Sequence, residues 1–203
     1  MLNIALPIII GYFIGSIPFG LIAGKIKGID IRQKGSGNIG ATNIYRTLGT
    51  FPALTVFALD LFKGTAAVLI ASYFYPTPLI MIISGIASII GHMFSVFLGF
   101  KGGKGAATGL GVLLGITPDL FAVAIIYMVL CIAVTRYVSV TSMSGVILLA
   151  ILMFVFNKPL PYAIATVMVA LLMIYKHIPN IQRLMAGTEP KIWGRAYRQA
   201  GNK

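Results

Sequence analysis

The stretch LIMIISGIASIIGHMFSVFLGFKGGKGAATGLGVLLGIT, residues 79–117, decides the fold. An apolar run, Leu79–Phe100, is long enough to cross a bilayer. A basic glycine loop follows, and then a second, shorter apolar run, Gly105–Thr117. Working outward, the same alternation covers the chain, with further apolar stretches at Ile4–Gly24, Phe51–Tyr75, Asp119–Thr135, Val138–Phe156 and Leu160–Tyr175. All but two of the 16 Lys and Arg lie before the second, fourth and sixth stretches or after the last. The exceptions are Lys158, in an alternate gap, and Lys63, inside a stretch. Basic residues accumulate on the cytoplasmic side of membrane proteins, so the pattern predicts the N-terminus outside and the C-terminus in the cytoplasm. The expected fold is an all-α membrane protein, one bundle of seven transmembrane helices forming a single domain over 1–203.

Composition agrees. The chain is 58% hydrophobic and 10% charged, with mean hydropathy +0.95, which excludes an ordinary soluble domain. A net charge of +12 suggests nucleic acid, but the basic residues punctuate spans instead of forming a face, so no nucleic-acid partner is expected. The sole cysteine, Cys131, lies mid-span, which leaves no disulfide framework or thiolate metal site. Asp30, Asp60, Asp119 and Glu189 are the only acids. That scarcity argues against a magnesium-nucleotide site, and neither metal nor cofactor is expected. The first stretch lacks a basic n-region and a small-residue cleavage site, so it reads as a retained span.

Two spans are unusual. The first holds Pro7, Gly11, Gly15, Ser16, Pro18 and Gly20, small or helix-breaking residues that allow close helix approach. The fourth covers roughly 20 Å against a hydrocarbon core of about 30 Å. Its start can therefore lie below the membrane surface, where irregular backbone needs protein or a polar cavity around it. Asp60 and Lys63, at i and i+3 in the second span, are expected to neutralise each other inside the bundle. His92 reads equally as a core hydrogen-bonder or a site residue.

Three polar segments fall on the expected cytoplasmic side. In Lys34-Gly-Ser-Gly-Asn-Ile-Gly-Ala-Thr-Asn43, with Arg46 beyond it, Ser36, Gly37, Asn38, Gly40, Thr42 and Asn43 suit an anion cradle. A helix starting near Ala41 would add its positive end; a long capped turn is the plainer alternative. Phe100–Gly109 offers Lys101, Gly102, Gly103, Lys104, Gly105 and Thr108 at a helix start. It fails the G-x-x-x-x-G-K-[ST] pattern, and glycine packing with snorkelling lysines would also explain it. In Tyr175–Glu189, His177 and Asn180 share a helical face, although an interfacial histidine at a helix end is equally ordinary. Among the hydroxyls opening the sixth span, Ser142 is the one selected as a substrate contact, since most such groups bond their own helix. Trp193, Arg195, Tyr197 and Arg198 read as an interfacial anchor.

Taken together, GSIPFG, KGSGNIGATN with Arg46, LDLFKG, GHMFSVFLGFKGGKGAATGLG and HIPNIQRLMAGTE resemble the acyl-phosphate:glycerol-3-phosphate acyltransferases, the PlsY type of bacterial integral-membrane enzyme. The resemblance implies acyl transfer from acyl phosphate to glycerol 3-phosphate, releasing lysophosphatidate and inorganic phosphate, without direct use of acyl-CoA or acyl carrier protein. It implies essential roles for Ser36 and Arg46, and glycerol 3-phosphate binding by Gly102, Gly103, Lys104 and Gly105. It maps the third motif onto His177, Asn180 and Glu189. The expected location is the bacterial plasma (inner) membrane, with the site facing the cytoplasm and the protein working as a monomer.

Such chemistry needs a basic cavity for phosphates that opens sideways to lipid for the acyl chain, an opening expected from the short fourth span and the small-residue first span. Direct attack by the acceptor hydroxyl, without an acyl-enzyme, is the expected mechanism. The acyltransferase H-x-x-x-x-D pattern is absent, with Phe97 and Gln182 five positions beyond His92 and His177. Whether His177 acts as base or only binds phosphate stays open, as does the division of the two phosphates between the glycine-rich loops. A transporter for a phosphorylated anion is the rival reading.

Overall fold

The computed structural model describes residues 2–193, so Arg195, Tyr197 and Arg198 of the expected anchor lie outside the described residues. The described residues form helices joined by short connections: α1 Leu2–Ser16, α2 Phe19–Ile26, α3 Ala41–Leu48, α4 Thr50–Phe74, α5 Pro78–Met93, α6 Ala106–Ile116, α7 Pro118–Thr135, α8 Val138–Val155, α9 Leu160–Lys176 and α10 Ile178–Met185. Among the described residues, five segments are long and apolar enough to cross a membrane, beginning with Ile4–Ile26, which joins α1 and α2. A sixth results if α9 and α10, bent by 56°, count as one. The chain is an all-helical integral membrane protein. Helix α7 carries Ile126, Leu130 and Val134, at helical spacing, on an exposed face suited to lipid.

Helix α6 is shorter even than its sequence suggested, at 11 residues, or about 16 Å of rise. It is packed between neighbours: Gly64 of α4 fits against the Thr108 carbonyl, and Gly111 of α6 against Leu61. The first span breaks where Pro18 cannot continue the α1 hydrogen-bond ladder. That break leaves buried carbonyls in need of donors. Ser95 Oγ donates to the Ser16 carbonyl at 2.6 Å, and Lys63 Nζ to that of Ile17 at 3.1 Å.

The small residues of the first span do not open a gap to lipid. Gly11 and Gly15 pack α1 onto Ser84 and Ser88 of α5, while Gly91 of α5 fits beside Tyr12. Small side chains let backbones touch, and here they close the α1–α5 seam. One apolar core joins α4, α5, α6, α8 and α9 through Val68, Ile89, Met93, Val112, Met153 and Met173. A second, Leu21, Ile31, Ile39, Ile44 and Val56, pins α2, the 31–40 loop and α3 onto α4.

The two ends of the bundle are chemically distinct. At one, Lys158 Nζ lies 2.5 Å from Asp119 Oδ2, joining the connection before α9 to the first turn of α7. At the other, the Ile192 amide donates to the Arg136 carbonyl at 2.8 Å, and all three polar segments converge there.

Candidate active site

Each polar segment is given shape by its own local bonding. In the first, buried Asn43 acts as the hub. Its Nδ2 lies 2.8, 3.0 and 3.2 Å from the carbonyls of Asn38, Lys34 and Ile31, and its Oδ1 accepts the Ser36 amide at 2.8 Å. Asn38 Oδ1 accepts the Gly40 amide at 2.8 Å. Both asparagines therefore spend much of their hydrogen-bonding capacity on the loop itself. Helix α3 begins at Ala41, as expected, with Gly40 as its N-cap.

The second segment works differently from its sequence expectation. The amides of Gly102 and Gly103 donate to the carbonyls of Met93 and His92 at 3.1 and 3.0 Å, so neither is available to an anion. A Cβ on Gly103 would strike the His92 ring; glycine here permits close approach, not phosphate capture. Gly105 then turns into α6 at φ +80°, a left-handed geometry that favours glycine. This fold projects Lys104 into the site.

The third segment meets Lys104. Lys104 Nζ donates to Asn180 Oδ1. Asn180 Nδ2 donates to Glu189 Oε1 at 2.7 Å, Ser139 Oγ to the same oxygen at 2.7 Å, and Arg183 Nε to Oε2 at 2.7 Å. Burial, with the Arg183 charge beside it, pushes the Lys104 ammonium down to about 8 despite Glu189. Burial would raise the Glu189 carboxyl, but hydrogen bonds from Asn180, Ser139 and Arg183 hold it below the usual carboxylate range. His177, at the α9–α10 bend, has Nδ1 2.8 Å from the Met173 carbonyl. A carbonyl only accepts, so Nδ1 carries the proton and the neutral ring has its lone pair on Nε2.

These residues surround one cavity of about 580 Å³. Ser36, Asn38, Gly40, Thr42, Asn43, Arg46, Lys104, Gly105, Ser142, His177, Asn180 and Glu189 all line it. Away from them the walls are apolar, from Leu113 and Ile116 of α6 through Val123 and Met128 of α7 to Leu149 of α8 and Val169 of α9. A polar recess of about 460 Å³ is lined by Ser36, Gly37, Asn38, Gly102, Lys104, Lys176 and Arg183, so Ser36, Asn38 and Lys104 border both spaces. Lys101 is exposed and lines neither. Thr108 is fully buried on the α4 side of α6, away from the cavity. Gly103 is hidden behind the loop it closes. Among the described residues, no three His, Cys, Asp or Glu side chains could share a metal ion.

A cavity with cations and amides at one end and aliphatic walls at the other fits an amphiphilic phosphate substrate. The family model for glycerol-3-phosphate acyltransferase matches residues 5–187. The chain belongs to this acyltransferase family. The glycerol-3-phosphate acyltransferase of Bacillus velezensis is 46% identical over 191 residues, covering 93% of this chain and 97% of its own. The crystal structure of PlsY, an integral membrane glycerol 3-phosphate acyltransferase, in its glycerol 3-phosphate form is similar with a TM-score of 0.91 and 38% identity. That match covers 95% of this chain and 96% of PlsY. The lysophosphatidic acid form of PlsY gives a TM-score of 0.88 at 36% identity, covering 97% and 98%.

Some features of this PlsY-type chain were invisible in its sequence. Ser142 Oγ bonds its own helix at Val138, 2.9 Å away, while Ser139 reaches Glu189. Both open the same helix, and only the position of the tail distinguishes them. Lys176 and Arg183 line the polar recess, and the sequence marks them only by their place in the last helical turns. Trp193 lines the cavity while remaining 54% exposed, at its rim.

Proposed function

We propose that this protein transfers a fatty acyl group from acyl phosphate to the C1 hydroxyl of glycerol 3-phosphate. The products are 1-acylglycerol 3-phosphate and inorganic phosphate, in the first acylation of phospholipid synthesis. The observation that carries this reading is the single cavity joining Ser36, Arg46, Lys104, His177 and Asn180 to an aliphatic compartment. Its volume falls within the roughly 300–1,000 Å³ common for small-molecule sites. Family membership supplies the acceptor class, and the glycerol 3-phosphate and lysophosphatidic acid forms of PlsY are consistent with acceptor and product.

Acyl phosphate is an activated mixed anhydride, so the protein need not form a covalent intermediate. Arg46 and Lys104 neutralise phosphate charge, while Ser36 hydrogen-bonds the acyl phosphate. Held in place, the acceptor oxygen attacks the acyl carbonyl, the C–O bond to phosphate breaks, and phosphate leaves with the electron pair. The hydroxyl proton passes to a phosphate oxygen or to Nε2 of His177. Asn180, fixed by Glu189, keeps Lys104 oriented. Positioning of this kind can remove about 7–11 kcal/mol of barrier. Given glycerol 3-phosphate with acyl phosphate, acyl-CoA or acyl carrier protein thioester, the purified protein in lipid should make lysophosphatidate only from acyl phosphate. Equal use of a thioester would refute the donor assignment.

In the same reading the chain is one domain working as a monomer in the bacterial inner membrane. It crosses seven times, with α6 as a short crossing and α9 ending at the bend. The basic gaps, and with them the site, face the cytoplasm. Alternation of the Asp119–Lys158 end with the polar-segment end supports this count.

A further inference from the structure

Lys63 lies in the interior of α4, with its side chain 2% exposed. A buried ammonium has three N–H bonds to satisfy, and three partners surround this one. Asp60 Oδ1 lies 2.6 Å away, His92 Nδ1 2.9 Å and the Ile17 carbonyl 3.1 Å. Asp60 balances the charge, while His92 and the Ile17 carbonyl complete the hydrogen bonding and tie the ammonium to two other parts of the fold.

Each leads to one of the glycine-rich loops. Pro18 ends the α1 ladder, and just beyond it the Ile17 carbonyl takes the Phe19 amide at 3.2 Å on one lone pair and Lys63 on the other. From that break the chain continues through α2, where Gly20 packs on the Ile39 carbonyl of the first loop. On the other side, His92 Nδ1 lies 2.9 Å from the ammonium, which can only donate, and 3.5 Å from Asp60 Oδ1; the shorter contact makes Nδ1 an acceptor and puts the neutral ring's proton on Nε2. That ring is the surface against which Gly103 is folded, and the His92 carbonyl takes the Gly103 amide at 3.0 Å. Lys104 is the next residue. One ammonium thus fastens the support of the first loop to the support of the second, and Asp60 and His92 border the cavity between them.

We propose that Lys63, held by Asp60, is a positioning residue for acyl transfer: it fixes the Ser36–Arg46 loop relative to Lys104. This rests on the acyltransferase reading above. Positioning differs from simple charge balance in a way that can be measured. The double variant Asp60→Asn, Lys63→Met removes both charges together and keeps the side-chain volumes. If the pair only balances charge, the folded double variant should turn over like wild type. If Lys63 positions the loops, kcat should fall about 100-fold, the loss that a misplacement of about 1 Å can cause, with a cooperative melting transition retained.

Should the double variant fail to fold, His92→Gln carries the test. It keeps a polar end of about the Nε2 reach against Gly103 without adding bulk there but removes the nitrogen that accepts from Lys63, and a similar fall in kcat is expected. A folded variant with wild-type kcat overturns the proposal in either case. Both are compared with wild type in the same lysophosphatidate assay. Absence of activity in wild type would refute the acyltransferase reading itself, whereas active wild type with an equally active variant would refute only the role of Lys63.

Discussion

Glu189→Gln offers a sharp test of how the site holds Lys104. The carboxylate accepts from Ser139, Asn180 and Arg183, each at 2.7 Å, and the first two donors are buried. Glutamine keeps one acceptor oxygen for Ser139 and Asn180 but makes those bonds neutral. Bonds to charged groups contribute about 1.5–3 kcal/mol and neutral ones about 0.5–1.5, so roughly 1 kcal/mol is lost at each. The new amide also faces Arg183 with a donor. That partly exposed pair adds up to about 1 kcal/mol. The sum, about 2–3 kcal/mol, corresponds to about a 30- to 150-fold fall in kcat/KM if it all acts through Asn180 and Lys104. Initial rates give the fall, and a double-mutant cycle with Asn180→Ala locates it. The combined variant should be little worse than Asn180→Ala alone. Rates within about three-fold of wild type, or fully additive losses, would refute Glu189 as the anchor of Asn180.

Further outcomes follow from the same geometry. Lys104 must carry its proton to hold phosphate, and its pKa is about 8; kcat/KM should therefore fall as pH rises through that value, a limb absent from a pH profile of Lys104→Met. Lys104→Ala should raise the KM for glycerol 3-phosphate more than that for acyl phosphate, and the reverse would exchange the loop assignments. Gly103→Ala places a methyl on a His92 ring that Lys63 prevents from moving, so a loss of about 1–3 kcal/mol in stability is expected from urea unfolding in detergent. After replacing Cys131, a cysteine at Lys27 should be labelled only from the cytoplasmic face and one at Thr77 only from outside. The opposite labelling would invert the topology.

Much of the helical architecture was legible because membrane insertion writes itself into sequence as long apolar runs. The Asp60–Lys63 pair was legible because i and i+3 positions meet on any helix, and α3 because glycine and alanine mark its start. The glycine-rich loops were found, but their atomic roles were not. Sequence gives Gly102 and Gly103 free amides, and only the approach of α5 shows those amides bonded to His92 and Met93. The first-span glycines likewise read as an opening until α5 is placed against them. Thr108 and Ser142 were selected by position, while contact with α4 and the path of the tail determine which hydroxyl meets what. His92 could be resolved only once Lys63 and Gly103 stood on either side of its ring.

The central claim is acyl transfer between two phosphate-bearing substrates in one cavity. It is tested most directly by phosphate release from the purified protein in lipid, given palmitoyl phosphate with and without glycerol 3-phosphate. The account expects release only when both are present, with lysophosphatidate formed in equal amount and no hydroxylamine-labile acyl-protein at any stage. Release without the acceptor, or none from folded protein supplied with both substrates, would contradict it.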